Sequence, residues 1–463
     1  MAKAATVGEL KQSGLRSRSV KQELRDNLIA RLRAKQPVFS GIIGYEDTVV
    51  PQIENAILSG HDVIFLGERG QAKTRMARLL VELLDEAMPI VAGCEVNDDP
   101  FAPICRACRE RIAADGDRTE IAWVPRDRRY GEKLATPDIT IADLIGEVDP
   151  IKVAEGRYLS DELTIHYGLL PRTNRGIFTL NELPDLAERI QVGLLNIMEE
   201  RDVQIRGYKV RLPLDLYVLA SANPEDYTNR GRIITPLKDR FGSQIRTHYP
   251  RKLGDEITIM DAERTRFASD EFEAVVPEYM KHVVAEVTHL ARKASEINQR
   301  SGVSVRVSIT NYENVLSNAH KRAIRLGERK VVPRVSDLVA LTASTGGKIE
   351  LETLGEGADD KVLAKLVQRA VLNVFNRHFG GGELDDVVKA FQSGLRVEVG
   401  DTMAAGEYVR QTGEVRPLHG AIKKLGAADP AEIAAAVEFV LEGLHLGKKL
   451  NKDAVGGQLR YRG

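Results

Sequence analysis

The sequence predicts an α/β protein: a three-layer core with a parallel sheet between helices, then a helical bundle and a further C-terminal helical region. Three observations carry this. From Gly41 to Pro250, short apolar β-rich runs alternate with amphipathic helical stretches, the pattern of parallel strands covered on both faces. The apolar run Val63–Leu66 enters a Gly-rich segment, Gly67 to Thr74, which opens a helical pattern to Leu84. From Lys252 to about Thr345 the strands stop and the chain reads as a helical bundle.

The composition is that of an ordinary globular chain. Its 463 residues suffice for two or three domains and a large core. A formal net charge of −1, with 29% charged residues, gives no global electrostatic reason to expect nucleic acid or an anionic membrane as partner. No apolar run approaches bilayer length, and the N-terminus lacks the apolar core of a signal peptide. Three cysteines argue against a disulfide scaffold and for a reducing compartment, so a cytoplasmic location is expected.

Taken in order, residues 1–37 are polar and basic; Val20 to Lys35 has helical periodicity with Leu24, Leu28, Ile29 and Leu32 on one face, expected to be a solvated lead-in. The core spans 38–250. Its expected strands are Val63–Leu66, Ile177–Leu180, Leu216–Ala220 and Ile245–His248. Its expected helices are Thr48–Leu58, Thr74–Glu86 and Ala187–Glu200. A polar insertion, about 91–133, carries the cysteines. The helical bundle, which the family resemblance given below makes a helical lid, covers 251–345, and Gly346-Gly347 reads as a hinge. Within 346–463, helices are expected at Lys361–Phe379, Glu383–Leu395 and Pro430–Leu444. Lys448-Lys449 and Arg460-Tyr461-Arg462 read as a solvated tail rather than a nucleic-acid site.

Strand, Gly-rich turn, Lys-Thr and helix is the layout of a phosphate-binding loop. Backbone N–H groups of such a turn bind phosphate oxygens, helped by the positive end of the following helix. Lys73 is expected to reach the β- and γ-phosphates, and the Thr74 hydroxyl to hold Mg²⁺. Ala72 stands where the last glycine usually stands, and its methyl group is tolerable if φ is negative. The competing reading is a chance Gly-rich turn. An NTPase also needs a carboxylate beyond a neighbouring strand. Asn181-Glu182 follows the run Gly176–Leu180, so Glu182 is expected to orient or deprotonate water. Asn181 takes the place of the usual Asp and would serve Mg²⁺ through a bound water. The alternative for Glu182 is an ordinary strand-to-helix cap. Asn223, just past Leu216–Ala220, suits sensing the γ-phosphate. Arg240, on a surface turn after it, suits completing a neighbouring subunit's site by stabilising phosphoryl charge; otherwise it caps a helix.

These ordered motifs resemble the AAA+ ATPases, in the clade that holds the ATPase subunit of magnesium chelatase and the MoxR-type ATPases. Gly41-Ile42-Ile43-Gly44-Tyr45 resembles the segment that packs on adenine. A phosphate loop with Ala before Lys is similar to that of MoxR-type proteins. Tyr167–Leu170 with Asn174–Gly176 resembles the chelatase approach to its second acidic motif. Leu194 to Ile205 resembles the helix and β-hairpin that follow. Asp239-Arg240-Phe241-Gly242 resembles the chelatase arginine-finger motif, and Gly302–Arg306 the lid motif whose Arg contacts nucleotide, with Val305 where Pro is usual. The sigma-factor-gripping GAFTGA loop of related activators is absent from the sequence. The resemblance covers roughly 38–345. It implies ATP and Mg²⁺ as cofactors, a homo-oligomeric ring, hexameric, and a protein partner with a von Willebrand factor A-type domain. It gives a nucleotide-contacting set of Ile43 and Gly44 with Gly67, Glu68, Arg69, Gly70, Gln71, Ala72, Lys73, Thr74 and Arg75. The catalytic set is Lys73, Glu182, Asn223, Arg240 and Arg306, and a membrane partner is not expected. The function implied is an ATP-hydrolysing motor that remodels a protein complex; the alternatives are the ATPase subunit of a Mg²⁺-inserting tetrapyrrole chelatase and a weakly hydrolysing scaffold.

Cys94, Cys105 and Cys108 have a short Cys-x2-Cys pair suited to a tetrahedral ion such as Zn²⁺. Only three thiols exist, and Asp98 or Asp99 is the candidate fourth ligand. The segment resembles the Cys-rich chelatase insertion. Free thiols in a partly buried turn are the favoured reading.

Overall fold

The computed structural model describes residues 3–149, 151, 154, 162–200, 212–223, 231–267, 272–298, 302–351, 358–413 and 415–463. The chain forms two compact units, Met1–His248 and Tyr249–Gly463.

The first unit is built on a five-stranded parallel sheet. In chain order its strands are β1 (Val63–Leu66), β2 (Ala87–Val91), β3 (Ile121–Pro125), β4 (Tyr130–Leu134), β5 (Gly146–Val148), β6 (Ile165–Tyr167), β7 (Gly176–Asn181), β8 (Leu216–Ala222) and β9 (Ser243–Arg246). The central sheet runs β4-β7-β8-β1-β9. Its side chains alternate between two cores, as a pleated strand requires. Ile64, Phe178, Leu180, Val218 and Ala220 face one; Val63, Phe65, Ile177, Tyr217 and Leu219 face the other. Helices α2 (Val20–Arg33), α3 (Val49–Leu58) and α4 (Lys73–Leu79) cover the second face, and α6 (Glu188–Glu200) with α7 (Thr235–Arg240) cover the first. This is the three-layer sandwich expected.

Several details differ from expectation. β4 is a strand inside the supposed polar stretch. As the sheet's edge it needs only one neighbour and stays half-exposed, so it lacks the continuous apolar run of a central strand. Helix α4 stops at Leu79 and tightens to a 3₁₀ turn over Leu80–Leu83, short of Glu86. Strand β9 starts at Ser243 and ends at Arg246, two residues earlier than expected. The insertion is not loose: β2 pairs antiparallel with β3, and α5 (Arg106–Asp115) lies between them in sequence. The N-terminal helix α1 (Val7–Gln12) is tied to it by Val7 N–H to Thr119 O at 3.0 Å and Ile121 N–H to Ala5 O at 2.9 Å. The hairpin expected after α6 falls on 201–211, outside the described residues.

The solvated lead-in is also corrected. Helix α2 buries Val20, Leu24 and Leu28 among Ile53, Ile57 and Leu83; Leu32 alone of the apolar stripe is well exposed. At its start Glu23 is ion-paired with Arg129, at 2.7 and 2.5 Å, with side chains 6% and 1% exposed. Glu23 also accepts from Asp85 N–H at 2.7 Å. A basic-looking leader thus became part of the core because its charges lie on the face away from Leu24 and Leu28.

The second unit is mostly helical. The helix Pro430–Leu446 is buried along most of its length, from Ala434 to Leu441. It shares one hydrophobic core with residues of Glu278–Ala291, Val305–Leu326 and Ala358–His378, so helices before and after Gly346-Gly347 pack together. The expected C-terminal tail is instead structured. Asn451–Val455 and Gln458–Arg462 form a hairpin joined antiparallel to Arg396–Val399. Gly456 and Gly457, at φ +58° and +84°, supply the two left-handed positions of a tight hairpin turn. Tyr461 is buried with its hydroxyl on Glu442, and Arg460 bonds Glu398 at 2.9 and 2.6 Å. The polar outward face of this hairpin hid its strand character. No helix among the described residues is long and apolar enough to cross a membrane.

Removing one partner of the Glu23–Arg129 pair leaves a buried charge uncompensated. Arg129→Met should lower unfolding free energy by about 3–5 kcal/mol in a urea titration, and Glu23→Leu added to it should recover part of the loss. Equal stability of the single variant and the parent would show that the pair holds nothing together.

Candidate nucleotide-binding site

Gly67 begins the loop where β1 ends. Its N–H donates to Ala222 O at 3.1 Å. A Cβ there would stand 1.9 Å from Thr247 Oγ1 and 2.3 Å from Gln71 Oε1, so only glycine fits. The Thr247 hydroxyl donates to Gln71 Oε1 at 2.6 Å and locks the far side of the loop. Gly70 adopts φ +74°. Ala72 corrects the expectation of a negative φ: it sits at φ +57°, ψ 16°, as the N-cap of α4. The chain must reverse here so that Met76 N–H can reach Ala72 O, at 2.9 Å. The methyl group carries the left-handed cost, about 1–2 kcal/mol.

Tyr45 anchors the preceding segment to this loop. Its buried hydroxyl lies 3.0 Å from Gln71 O and 2.7 Å from His248 O. Burial pushes its phenol up to about 12, so it stays a neutral donor. Ile43 and Gly44 are half-buried just before it, and the Cβ position of Gly41 lies 3.0 Å from Arg75 Nη2. The segment expected near adenine is therefore beside the start of α4.

Lys73 is 8% exposed and folds back on its own loop, donating to Gly67 O and to Glu68 O, the latter at 2.8 Å. Next to it, the Thr74 hydroxyl donates to Asn181 Oδ1 at 3.3 Å, and the Ser221 hydroxyl to the same oxygen at 3.1 Å. Asn181 Nδ2 donates to Glu132 Oε1 at 2.7 Å. Arg78 holds that carboxylate through both oxygens, at 2.8 and 3.1 Å. Glu132 was not legible as a site residue, because its strand was read as insertion. Leu134 is opposite Asn181 in the parallel register, which makes Glu132 the diagonal neighbour of Asn181 on the same face. The carboxylate missing at 181 thus stands one strand away, joined through the amide.

Glu182 follows Asn181 at φ +54°, ψ 49°, a left-handed conformation for a non-glycine residue at the end of β7. Its N–H donates to Ser221 Oγ at 3.3 Å. Asn223, 1% exposed, follows the end of β8. Since β1 and β7 both pair with β8 in parallel, the loop, Asn181-Glu182 and Asn223 all emerge at the same carboxyl edge. That edge is where open α/β sheets bind ligands. The residue set fits a triphosphate with a hard divalent cation: backbone donors, one ammonium, a hydroxyl and an amide oxygen backed by a carboxylate.

The structure does not bring Arg240 to this edge. It ends α7, and β9 follows with Ser243 opposite Val63, the first residue of β1. Arg240 therefore enters at the amino edge, the other end of the sheet from its own loop. It is paired there with Glu199 of α6, both half-exposed. Arg306 lies in the second unit, exposed in the first turn of Val305–Leu326, which Ser304 caps at 3.1 Å. Cys94, Cys105 and Cys108 gather with Asp98 in a cluster of their own.

The sheet order and the loop have the layout of a P-loop nucleotide-binding core, similar to that of the AAA+ ATPases. Within that class the chain resembles magnesium-chelatase subunit I. It is 27% identical over 232 residues, 48% of its length, to a magnesium-chelatase subunit ChlI homolog of Methanocaldococcus jannaschii. It is 26% identical over 291 residues, 58% of its length, to the chloroplastic subunit ChlI-2 of Arabidopsis thaliana. The chain spans only 58% and 63% of those curated relatives. Among solved structures, a chain from the complex of magnesium-chelatase subunits BchI and BchD aligns at TM-score 0.35 and 19% identity, covering 70% of this chain and 97% of that one. NtrX from Brucella abortus aligns at TM-score 0.42 and 14% identity, covering 86% and 72%. No protein-family model matches the chain.

Ala72→Gly should relieve the left-handed strain, raising stability by roughly 0.5–1 kcal/mol after the extra freedom of glycine in the unfolded chain is counted. Thermal unfolding of the two proteins checks it; a lower midpoint for the glycine variant would mean the methyl group is packed to advantage.

Proposed function

We propose that this chain binds ATP with Mg²⁺ at the carboxyl edge of its sheet and hydrolyses it as a motor that remodels a protein complex. The observation that carries the reading is the convergence of the Lys73 loop, Glu182 and Asn223 on one edge, with Arg240 at the other. Lys73 exchanges its loop carbonyls for the β- and γ-phosphates. Thr74 and Asn181 would hold Mg²⁺, Asn181 through a water, and the ion would supply charge neutralisation at the phosphates. Glu182 takes the proton of the attacking water, and Asn223 aligns it against the γ-phosphate. Ile43 and Gly44 lie against the base, and Arg306 of the lid reaches the nucleotide. The domain scheme this implies is an N-terminal helical segment to 37, a nucleotide-binding core to 250, a lid to 345 and a further C-terminal helical region to 463.

A site with its Arg at the wrong end is completed by a second copy. We assign Arg240 to the neighbour's phosphates, in a homo-oligomeric ring, hexameric by resemblance. The Glu199 pair that holds it in the single chain is a surface pair worth about 0–1 kcal/mol, so a neighbour can release it. By the same family resemblance this ring acts on a second protein, with a von Willebrand factor A-type domain, in the cytoplasm. A second reading, the ATPase subunit of a metal chelatase, is favoured by the names of the relatives. Co-purification of the native complex separates the two: a tetrapyrrole-binding subunit supports the second, another client the first.

Lys73→Ala should abolish ATP binding in a titration, and unchanged affinity would mean the loop is misread. Glu182→Gln should bind ATP yet turn it over at least about 10²-fold more slowly, as expected for lost base catalysis; parental turnover would reduce Glu182 to a strand cap.

Arg240→Ala should keep ATP affinity and lose roughly 10³-fold in turnover, the scale of an arginine finger. Mixing it with Glu182→Gln subunits should restore part of the activity, because an Arg240→Ala subunit keeps its own Glu182 and borrows a neighbour's Arg240. Freely exchanging mixtures with no recovery at any ratio would refute the shared site.

A further inference from the structure

We propose that Cys94, Asp98, Cys105 and Cys108 bind one zinc ion that staples the insertion to the first unit's core. The three sulfur atoms and a carboxylate oxygen of Asp98 all lie within 4.8 Å of one another. Ligands about 2.3 Å from a tetrahedral zinc stand about 3.8 Å apart, so the four donors are gathered close to the spacing that a single ion needs. Asp98 and Cys108 are buried, as is Cys105, while Cys94 is half-exposed and leaves a way in.

The carboxylate is the observation that distinguishes metal from plain thiols. Asp98 is 0% exposed. Its Oδ2 accepts from Cys105 N–H at 2.9 Å. Its Oδ1 is buried with no hydrogen-bond partner among the described residues. A buried, unpartnered carboxylate oxygen is costly. Three neighbouring thiols leave it unmet. A disulfide between any two cysteines would leave it unmet too, and would strand the third thiol. One cation satisfies all four groups.

Backbone donors and a helix N-terminus face the sulfur atoms. Asp98 N–H points to Cys94 Sγ and Cys108 N–H to Cys105 Sγ, both at 3.4 Å; such backbone donors orient and stabilise metal-bound sulfur. Cys105 is the N-cap of α5 and Cys108 lies in its first turn, where the positive helix end lowers the cost of sulfur anions. The choice between the two aspartates is also decided. Asp99 is engaged elsewhere, by the Ser17 hydroxyl, by Phe101 N–H at 2.9 Å and by Arg175 at 3.7 Å. Cys105 and Cys108 sit in the same core as Val91, Leu170 and Phe178. An ion here therefore joins the turn after β2, the loop at Asp98 and the start of α5 to the face of the main sheet. The site stands apart from the nucleotide reading and does not depend on it.

The test uses the full chain, prepared under reducing conditions without chelator. Elemental analysis should find about one zinc per chain. After exchange, Co²⁺ should give thiolate-to-cobalt charge-transfer absorption with strong tetrahedral d–d bands. Asp98→Asn should lose metal to a competing chelator at least about 10-fold more readily, while Asp99→Asn should retain it like the parent. The unmutated chain reports on the ion even if an aspartate variant fails to fold. Less than about one-tenth equivalent of zinc before and after reconstitution, with all three thiols reacting freely in the folded protein, would overturn the proposal. So would a cobalt spectrum without charge-transfer bands, or equal metal loss from the Asp98 and Asp99 variants.

Discussion

The pairing of β1 between β8 and β9 is the constraint on which the rest of this structure depends. Both ladders continue past the end of the strand: Gly67 N–H reaches Ala222 O at 3.1 Å, and Thr247 N–H reaches Leu66 O at 2.9 Å. The first residue of the loop is thereby clamped from two sides. Its Cα approaches Thr247 and Gln71 so closely that a side chain is excluded. A loop held at its root by backbone bonds presents its own N–H groups in one arrangement, and pre-organised donors are what phosphate recognition needs. The same parallel pairing sends the ends of β7 and β8 to the same edge, and so brings Glu182 and Asn223 there.

Strain gathers at this edge. Ala72 and Glu182 both take left-handed backbone conformations that glycine would adopt at less cost. Each marks a place where the chain must turn sharply as it leaves a buried strand or enters a helix. Non-glycine residues in such conformations persist only where the surrounding structure over-determines them. Here that structure is a sheet buried on both faces, with Ile64, Phe65, Phe178 and Leu219 all at or below 1% exposure. Farther off, Glu23 and Arg129 join α2 to the chain entering β4, which steadies the strand that carries Glu132.

Charge at the site is distributed rather than concentrated. The residue before Glu182 is an amide, and its oxygen receives the Thr74 and Ser221 hydroxyls while its nitrogen meets Glu132. Arg78 balances Glu132. A carboxylate at 181 would face Glu132 at close range, and two such groups cannot both stay ionised cheaply without a cation between them. The amide avoids that repulsion and still fixes the direction of the Thr74 hydroxyl. Asn181 is therefore one half of a hydrogen-bonded pair whose other half, Glu132, lies on β4.

The loop, its flanking strand, the Asn181-Glu182 and Asn223 strand ends and the three-layer plan were legible in the sequence because each depends on local spacing. Glycine, lysine and threonine at fixed offsets between an apolar run and a helical pattern announce the loop, and apolar runs of strand length announce buried parallel strands. What escaped was whatever depends on neighbours distant in the chain. Edge strand β4 and the Gly456-Gly457 hairpin have too little apolar surface to stand out, and pairing alone makes them strands. Leu24 and Leu28 could face water or a core, and only α3 and the sheet decide that they face a core. Glu132 joins Asn181 across 49 residues and Asp98 meets Cys108 only when the insertion closes, because the polarity of a side chain is written in its residue type while its partner is chosen by the fold.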